Sequence, residues 1–285
     1  LKRTTSVMGG LSPIRFLSQF IYRTVSRVVD RRLRPFGRLP IAERQTDDIY
    51  IVGFPKSGCN WLQNVAAGLF YGVSPGELPD SLIQELVPDI DYYRHYQRHF
   101  PTCVFRTHKL PQPEFRRVVY LIRDPRDVFV SLLHFRSALK RTPVSPAEQL
   151  RDSRFSGTAW RTHVESWLDN PYAAEILTLQ YEELRRDTVG ELKRLSAFLG
   201  LSRNEAELRR LAEQTSFQRL REKEELYGKA NPPNWPSQKR FFRRGQADSH
   251  VDELSAETET LLIEQVGPVL QRCGYSVQKR GIQPD

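Results

Sequence analysis

Apolar positions along the chain follow two rhythms. Short runs of four to six residues at 49–54, 103–107, 118–122 and 175–180 predict strands, most of them buried on both faces. Between and after them, apolar residues recur at three- and four-residue spacings. Trp61, Leu62, Val65, Leu69 and Phe70 mark a helix behind the first strand, and further helices are predicted at 125–139, 158–168, 188–199, 204–214 and 255–274. Strand alternating with helix predicts an α/β fold, with a mostly parallel central sheet flanked by helices on both faces. No stretch approaches eighteen consecutive apolar residues, so no segment is expected to span a membrane.

Ahead of this pattern lies a different object. Residues 12–33 place Ile14, Leu17, Ile21, Val25 and Val28 in one helical stripe, with Arg23, Arg27, Arg31 and Arg34 opposite, while Phe16 and Phe20 stray toward the polar side. Two readings stand: a helix packed on the body with a solvated basic face, or an arm for an anionic membrane surface. Residues 35–40, bounded by prolines, read as a linker. The expected organisation is a basic arm over 1–40 and one catalytic domain over 41–285.

Charge supports that division. The chain of 285 residues carries a formal +9, and residues 1–40 hold nine Lys or Arg against one acid, Asp30, a surplus of +8. The body is therefore nearly neutral, which argues against a nucleic-acid-binding domain. Three widely separated cysteines, Cys59, Cys103 and Cys273, fit neither a disulfide framework nor a structural zinc. They suggest a reducing, cytoplasmic setting, peripheral at a membrane if the arm engages one.

The first strand runs into Pro55-Lys56-Ser57-Gly58-Cys59-Asn60-Trp61. A Pro/Gly loop opening into a helix leaves backbone N–H groups unpaired, with the positive end of the helix dipole behind them. Lys56 adds a charge, and Ser57 and Asn60 add neutral donors, so the loop suits phosphate or sulfate. It does not match the nucleotide-triphosphate loop, in which lysine comes late and a hydroxyl for magnesium follows it. The second strand ends at Arg106-Thr107-His108, and Pro111 and Pro113 forbid its continuation. The third ends at Arg123, followed by Asp124 as a helix cap and Pro125 at the first helical position. Ligands of open α/β sheets collect beyond the carboxyl ends of strands, so Lys56, His108 and Arg123 are predicted to share one edge.

The lysine-first loop resembles the 5′-phosphosulfate loop of the sulfotransferases that use 3′-phosphoadenosine 5′-phosphosulfate (PAPS), and further segments resemble that family in its order over about 48–246. The resemblance implies that Lys56, Ser57, Gly58, Cys59, Asn60 and Trp61 seat the 5′-phosphosulfate, although Cys59 stands where threonine is usual. It implies that His108 is the catalytic base, and that Arg123 and Ser131 hold the 3′-phosphate. Tyr181, Thr215, Ser216 and Phe217 would lie on the adenine side, with Trp61 and Phe217 sandwiching the base. Phe241, Arg243, Arg244 and Gly245 would close over the 3′-phosphate. There the chain departs from the family's Gly-x-x-Gly-x-Trp-Lys and reads Gly245-Gln246-Ala247-Asp248-Ser249-His250.

The implied reaction is metal-free, in-line sulfuryl transfer to an acceptor hydroxyl on a saccharide, lipid or small alcohol or phenol, leaving adenosine 3′,5′-bisphosphate (PAP). Two rivals stand beside it: a kinase-like phosphoryl-transfer enzyme needing magnesium, and a non-catalytic adapter docking an anionic surface. Acceptor choice is expected from residues 74–100, with Tyr92, Tyr93, Tyr96, His95 and His99, and from 137–157, read as a mobile loop or lid. Cys59, beside Lys56 at a helix start, is expected to favour thiolate.

Overall fold

The computed structural model describes residues 26–229, 232, 234–245 and 247–276. Its centre is a four-stranded, all-parallel sheet in the order β4-β2-β5-β6, formed by Val104–Thr107, Ile49–Gly53, Arg117–Ile122 and Glu175–Gln180. All four were legible as apolar runs. Side-chain alternation divides each strand between two cores. Tyr50 and Val52 of β2, and Val118, Tyr120 and Ile122 of β5, pack with α4 (Pro125–Lys140), α6 (Gly157–Asp169) and α12 (Ala256–Arg272). Ile49, Ile51, Val119 and Leu121 face the other way, toward α2 (Cys59–Tyr71), α8 (Thr188–Phe198) and α9 (Glu205–Gln214). Fully burying such a side chain contributes about 1.5–3 kcal/mol, so both layers hold the sheet.

Strand order decides where the site falls. β2 leads through α2 and α3 (Asp80–Leu86) to β4 on one side, whereas the chain then returns past β2 to β5 on the other. Connections diverging from a central strand open a crevice at the carboxyl ends, and the 55–61 loop emerges there between the ends of β4 and β5.

Two expectations change. Residues 35–40 do more than link: β1 (Arg38–Pro40) pairs antiparallel with β3 (His95–Gln97), and Tyr96 of β3 enters the core. Residues 26–33 are helical and form the described part of α1; Asp30 accepts from His95 at 2.7 Å, and Ser26 accepts from Arg94 at 2.6 Å. The remainder of the expected arm helix, residues 12–25, lies outside the described residues. Segment 137–157 is tied down, because α4 continues to Lys140 and the short α5 (Pro146–Leu150) follows. Buried Gln149 donates to the Phe129 carbonyl at 2.7 Å, and Arg136 reaches Asp152 at 2.6 Å. α7 (Tyr181–Arg186), α10 (Phe217–Tyr227) and the four-residue α11 (His250–Glu253) complete the described elements used below.

Candidate active site

A cleft of about 340 Å³ opens over the carboxyl ends of β2, β4 and β5. Lys56, Gly58, Cys59, Asn60, Trp61, His108, Arg123, Ser131, Tyr181, Thr215, Phe217, Phe241, Arg243, Arg244 and Gly245 line it. Ser57 and Ser216 do not. Ser57 is buried beneath the loop, where its hydroxyl finds no partner among the described residues. The Ser216 hydroxyl caps α10 by accepting from the Arg219 N–H at 3.3 Å, and the Thr215 hydroxyl donates back to the Leu211 carbonyl at 2.8 Å.

The loop is strained where it bends. Lys56 has φ +73°, a left-handed conformation that L side chains rarely adopt, and Gly58 follows at φ +108°. Any Cβ at Gly58 would sit 2.7 Å from the Tyr181 ring, so only glycine fits between loop and ring. The N–H groups of Cys59 and Asn60 belong to the first turn of α2, where helix geometry provides no acceptor, and that turn holds no acidic side chain. An anion is the natural complement.

Lys56 stands among like charges. Its Nζ lies 3.8 Å from the Phe241 ring centroid and 4.5 Å from that of Phe135. Burial, then the neighbouring charges of Lys229, Arg123 and Arg106, lower its pKa to about 7. Arg185, Arg243 and Arg244 add further cations to the lining, and no carboxylate is among the described lining residues. Arg123 spans the gap from β5 to the loop: it donates to the Lys56 carbonyl at 3.4 Å, meets Asp127 at 3.4 Å and lies 4.1 Å over the Tyr181 ring. The Arg123–Asp127 pair thus coexists with a place in the cleft.

His108 faces the cleft from the end of β4 with one tautomer selected. Its Nδ1 lies 2.6 Å from the Gly53 carbonyl, which can only accept, so Nδ1 carries the proton and Nε2 keeps its lone pair. Burial, with Arg106 beside it, lowers its pKa and keeps the ring neutral. The backbone under it is held from α6. His163 Nε2 donates to the His108 carbonyl at 3.2 Å, and Trp167 Nε1 donates to the Lys109 carbonyl at 3.1 Å. His163 Nδ1 in turn accepts from the buried Tyr120 hydroxyl at 3.0 Å.

Residues 241–245 and Ser249 line the cleft as parts of a strap. Both carboxylate oxygens of Glu224 accept from it, from the Phe241 N–H at 2.5 Å and the Phe242 N–H at 2.9 Å. Glu253 pairs with Arg243 at 2.8 Å, Arg244 at 3.1 Å and His134 at 2.5 Å. Trp61 meets Tyr181 edge to face at 5.6 Å, and Phe217 packs under Gly245, so the two expected adenine-side aromatics are both at the cleft.

Cys59 corrects an expectation. It is almost fully buried, and burial pushes its pKa up to about 12, which outweighs the helix N-terminus and the nearby cations. It is a protonated packing residue. Sequence reasoning also missed residues. Arg106, buried on β4, donates to Asn60 Oδ1 at 2.6 Å and pairs with the fully buried Asp89, so it braces the loop from beneath. Removing one partner of such a buried pair costs about 3–5 kcal/mol. The charged Arg106 inside a strand predicted to be buried was the available signal. Lys229, paired with Asp80 at 2.6 Å and 5.1 Å from the Phe241 centroid, had no such signal.

Fold and site together define an α/β protein with a cationic, anion-seating cleft at the carboxyl edge of a parallel sheet. The sequence profile described as the sulfotransferase domain matches residues 46–273, and the chain belongs to that family. It is 30% identical to rat sulfotransferase 2A2 over 193 residues, 62% of this chain and 67% of the relative. Over 196 residues it is 22% identical to rabbit amine sulfotransferase, covering 63% of this chain and 64% of that one. The chain thus spans about two thirds of the length of these curated relatives. Its fold resembles mouse sulfotransferase SULT7A1 complexed with PAP (TM-score 0.57, 21% identity, 80% of this chain and 87% of that one). It also resembles retinol dehydratase in a complex with retinol and PAP (TM-score 0.62, 18% identity, 80% and 82%). No helix among the described residues is long and apolar enough to cross a membrane.

Proposed function

We propose that this chain transfers a sulfuryl group from PAPS to an acceptor hydroxyl. The observation that carries this reading is one cleft holding a neutral His108, its Nε2 lone pair free of the Gly53 contact, beside the Lys56 loop and the arginines Arg123, Arg243 and Arg244. The PAP complexes of SULT7A1 and of retinol dehydratase support the cofactor, and the retinol and androsterone complexes of the latter support an alcohol as acceptor.

The residues suit the nucleotide. Gly58 and Gly245 both have positive φ, and a Cβ at either would strike a neighbouring ring. Bound there, PAPS supplies an electrophilic sulfur whose bond to the 5′-phosphate breaks as the acceptor oxygen attacks in line. His108 Nε2 removes the proton of that hydroxyl. Lys56 and the first-turn N–H groups of Cys59 and Asn60 face the negative charge that gathers on the departing phosphate. Arg123, Ser131, Arg243, Arg244 and the Gly245 backbone hold the 3′-phosphate, while Trp61, Tyr181, Thr215 and Phe217 surround the adenine, and Ser216 acts behind them as the cap of α10. Ser57 supports the loop from below.

Incubating the full chain with radiolabelled PAPS and a panel of saccharide, lipid and phenolic alcohols tests the reading. Label on an acceptor with release of PAP supports it, whereas no transfer together with no calorimetric binding of PAP rejects it. The arm belongs to the same proposal: its basic face is assigned to an anionic membrane surface. Because β1 and α1 contact the body, the informative truncation removes residues 1–25 only. It removes most of the apolar stripe, Ile14 to Val25, together with Arg23 but leaves Arg27, Arg31 and Arg34, so it is expected to weaken cosedimentation with phosphatidylserine vesicles while keeping activity on a soluble acceptor. Equal cosedimentation of the two chains rejects the membrane role.

A further inference from the structure

Asp127, in the first turn of α4, is fully buried and surrounded by donors. Ser249 Oγ donates to its Oδ1 at 3.2 Å, the His250 N–H at 3.0 Å and the His250 Nδ1–H also at 3.0 Å, while Arg123 approaches Oδ2 at 3.4 Å. Ser249, His250 and Arg123 are each at least nine-tenths buried. One carboxylate therefore grips two things at once: the arginine at the end of β5 and the far end of the strap that carries Arg243 and Arg244. His250 stands in the stretch where the chain departs from the family's glycine- and tryptophan-bearing closure.

We propose that Asp127 and His250 are positioning residues that set the cleft's grip on a 3′-phosphate, and this rests on the sulfotransferase reading above. The physical argument is preorganisation. An arginine side chain loses roughly 2 kcal/mol of rotamer freedom when it is fixed on a ligand. Held beforehand by Asp127, the Lys56 carbonyl and the Tyr181 ring, Arg123 pays little of that on binding. The same holds for the strap, whose ends are fixed at Glu224 and at Asp127. Burial alone would raise the Asp127 pKa, but the His250 hydrogen bonds and Arg123 bring it down to about 2, so the carboxylate stays charged in this role.

Calorimetry with PAP and with adenosine 5′-monophosphate on the full chain tests the proposal, since the two ligands differ only by the 3′-phosphate. Wild type is expected to prefer PAP. His250→Ala and Asp127→Asn should each reduce the preference by about 10-fold or more, through weaker PAP binding, with affinity for the monophosphate unchanged. His250→Asn, whose amide N–H can stand in for Nδ1–H, should keep the preference within roughly threefold of wild type. Thermal melts identify any variant that fails to fold, and His250→Asn together with Asp127→Asn keeps the test decisive if His250→Ala does. A wild-type preference that survives in both His250→Ala and Asp127→Asn overturns this proposal and leaves the sulfotransferase reading standing. Equal loss for both ligands also overturns it, because the pair would then only hold the fold. No preference in wild type also overturns this proposal, while the transfer assay decides the sulfotransferase reading separately.

Discussion

Replacing His108 by alanine is expected to lower turnover by about 10²- to 10⁴-fold while PAP affinity stays near that of wild type. The size follows from the chemistry: a neutral alcohol is a weak nucleophile, and a base already aimed at its proton acts only in the transition state. The selectivity follows from the geometry, since Nδ1 is committed to the Gly53 carbonyl and the backbone beneath is held by His163 and Trp167. The ring therefore presents Nε2 in a fixed direction. Because burial and Arg106 lower its pKa in the free protein, the acid limb of the kcat/KM profile should fall below the ordinary imidazole value of about 6.5. Steady-state kinetics across pH checks both points. Near-normal turnover in the alanine variant would remove His108 from the role, and an acid limb at or above the ordinary value would contradict the environment assigned to it.

Lys56→Ala should behave differently, damaging nucleotide affinity and turnover together. Its charge meets the donor's phosphate in the ground state and the leaving phosphate later, so losing it costs about 1.5–3 kcal/mol of binding and more in the rate. The pH dependence is the sharper signature. Without a ligand the Lys56 pKa is about 7, because burial and the surrounding cations disfavour its charge. A bound anion reverses that preference and raises the pKa, so above pH 7 binding takes up a proton. PAP affinity in wild type should therefore decline as pH rises past 7, with a slope approaching one decade per unit. Calorimetry in buffers of different ionisation enthalpy reports the proton uptake directly. The alanine variant should bind weakly and show neither uptake nor slope, and a slope that persists would assign the titration to another group.

The parts legible in the sequence were those fixed by local pattern. Buried strands read as apolar runs, the Asp124-Pro125 cap announced α4, and the loop's Pro, Lys and Gly announced an anion seat. The missing parts depend on packing between distant segments. β1 carries two prolines' worth of linker signal around it, yet its backbone finds β3 some 57 positions on. Segment 137–157 is polar in composition, but Gln149 and Asp152 spend that polarity on internal partners. Cys59 was misread because local cues favour thiolate, and only the fold reveals how completely water is excluded from its sulfur. Asp89 looks like a surface charge until its burial against Arg106 is seen. The grip of His250 on Asp127, 123 positions apart, follows no spacing rule.

The order β4-β2-β5 separates two inheritances. His108 rides on the strand to one side of the phosphate loop and Arg123 on the strand to the other, and the loop between them is their common border. On the proposed reading, substitution of Tyr92, in the lining on the β4 side, is expected to alter which alcohol is admitted while Arg123, on the β5 side, keeps its hold on the 3′-phosphate. A sheet threaded in this way would let acceptor preference vary apart from the hold on the donor.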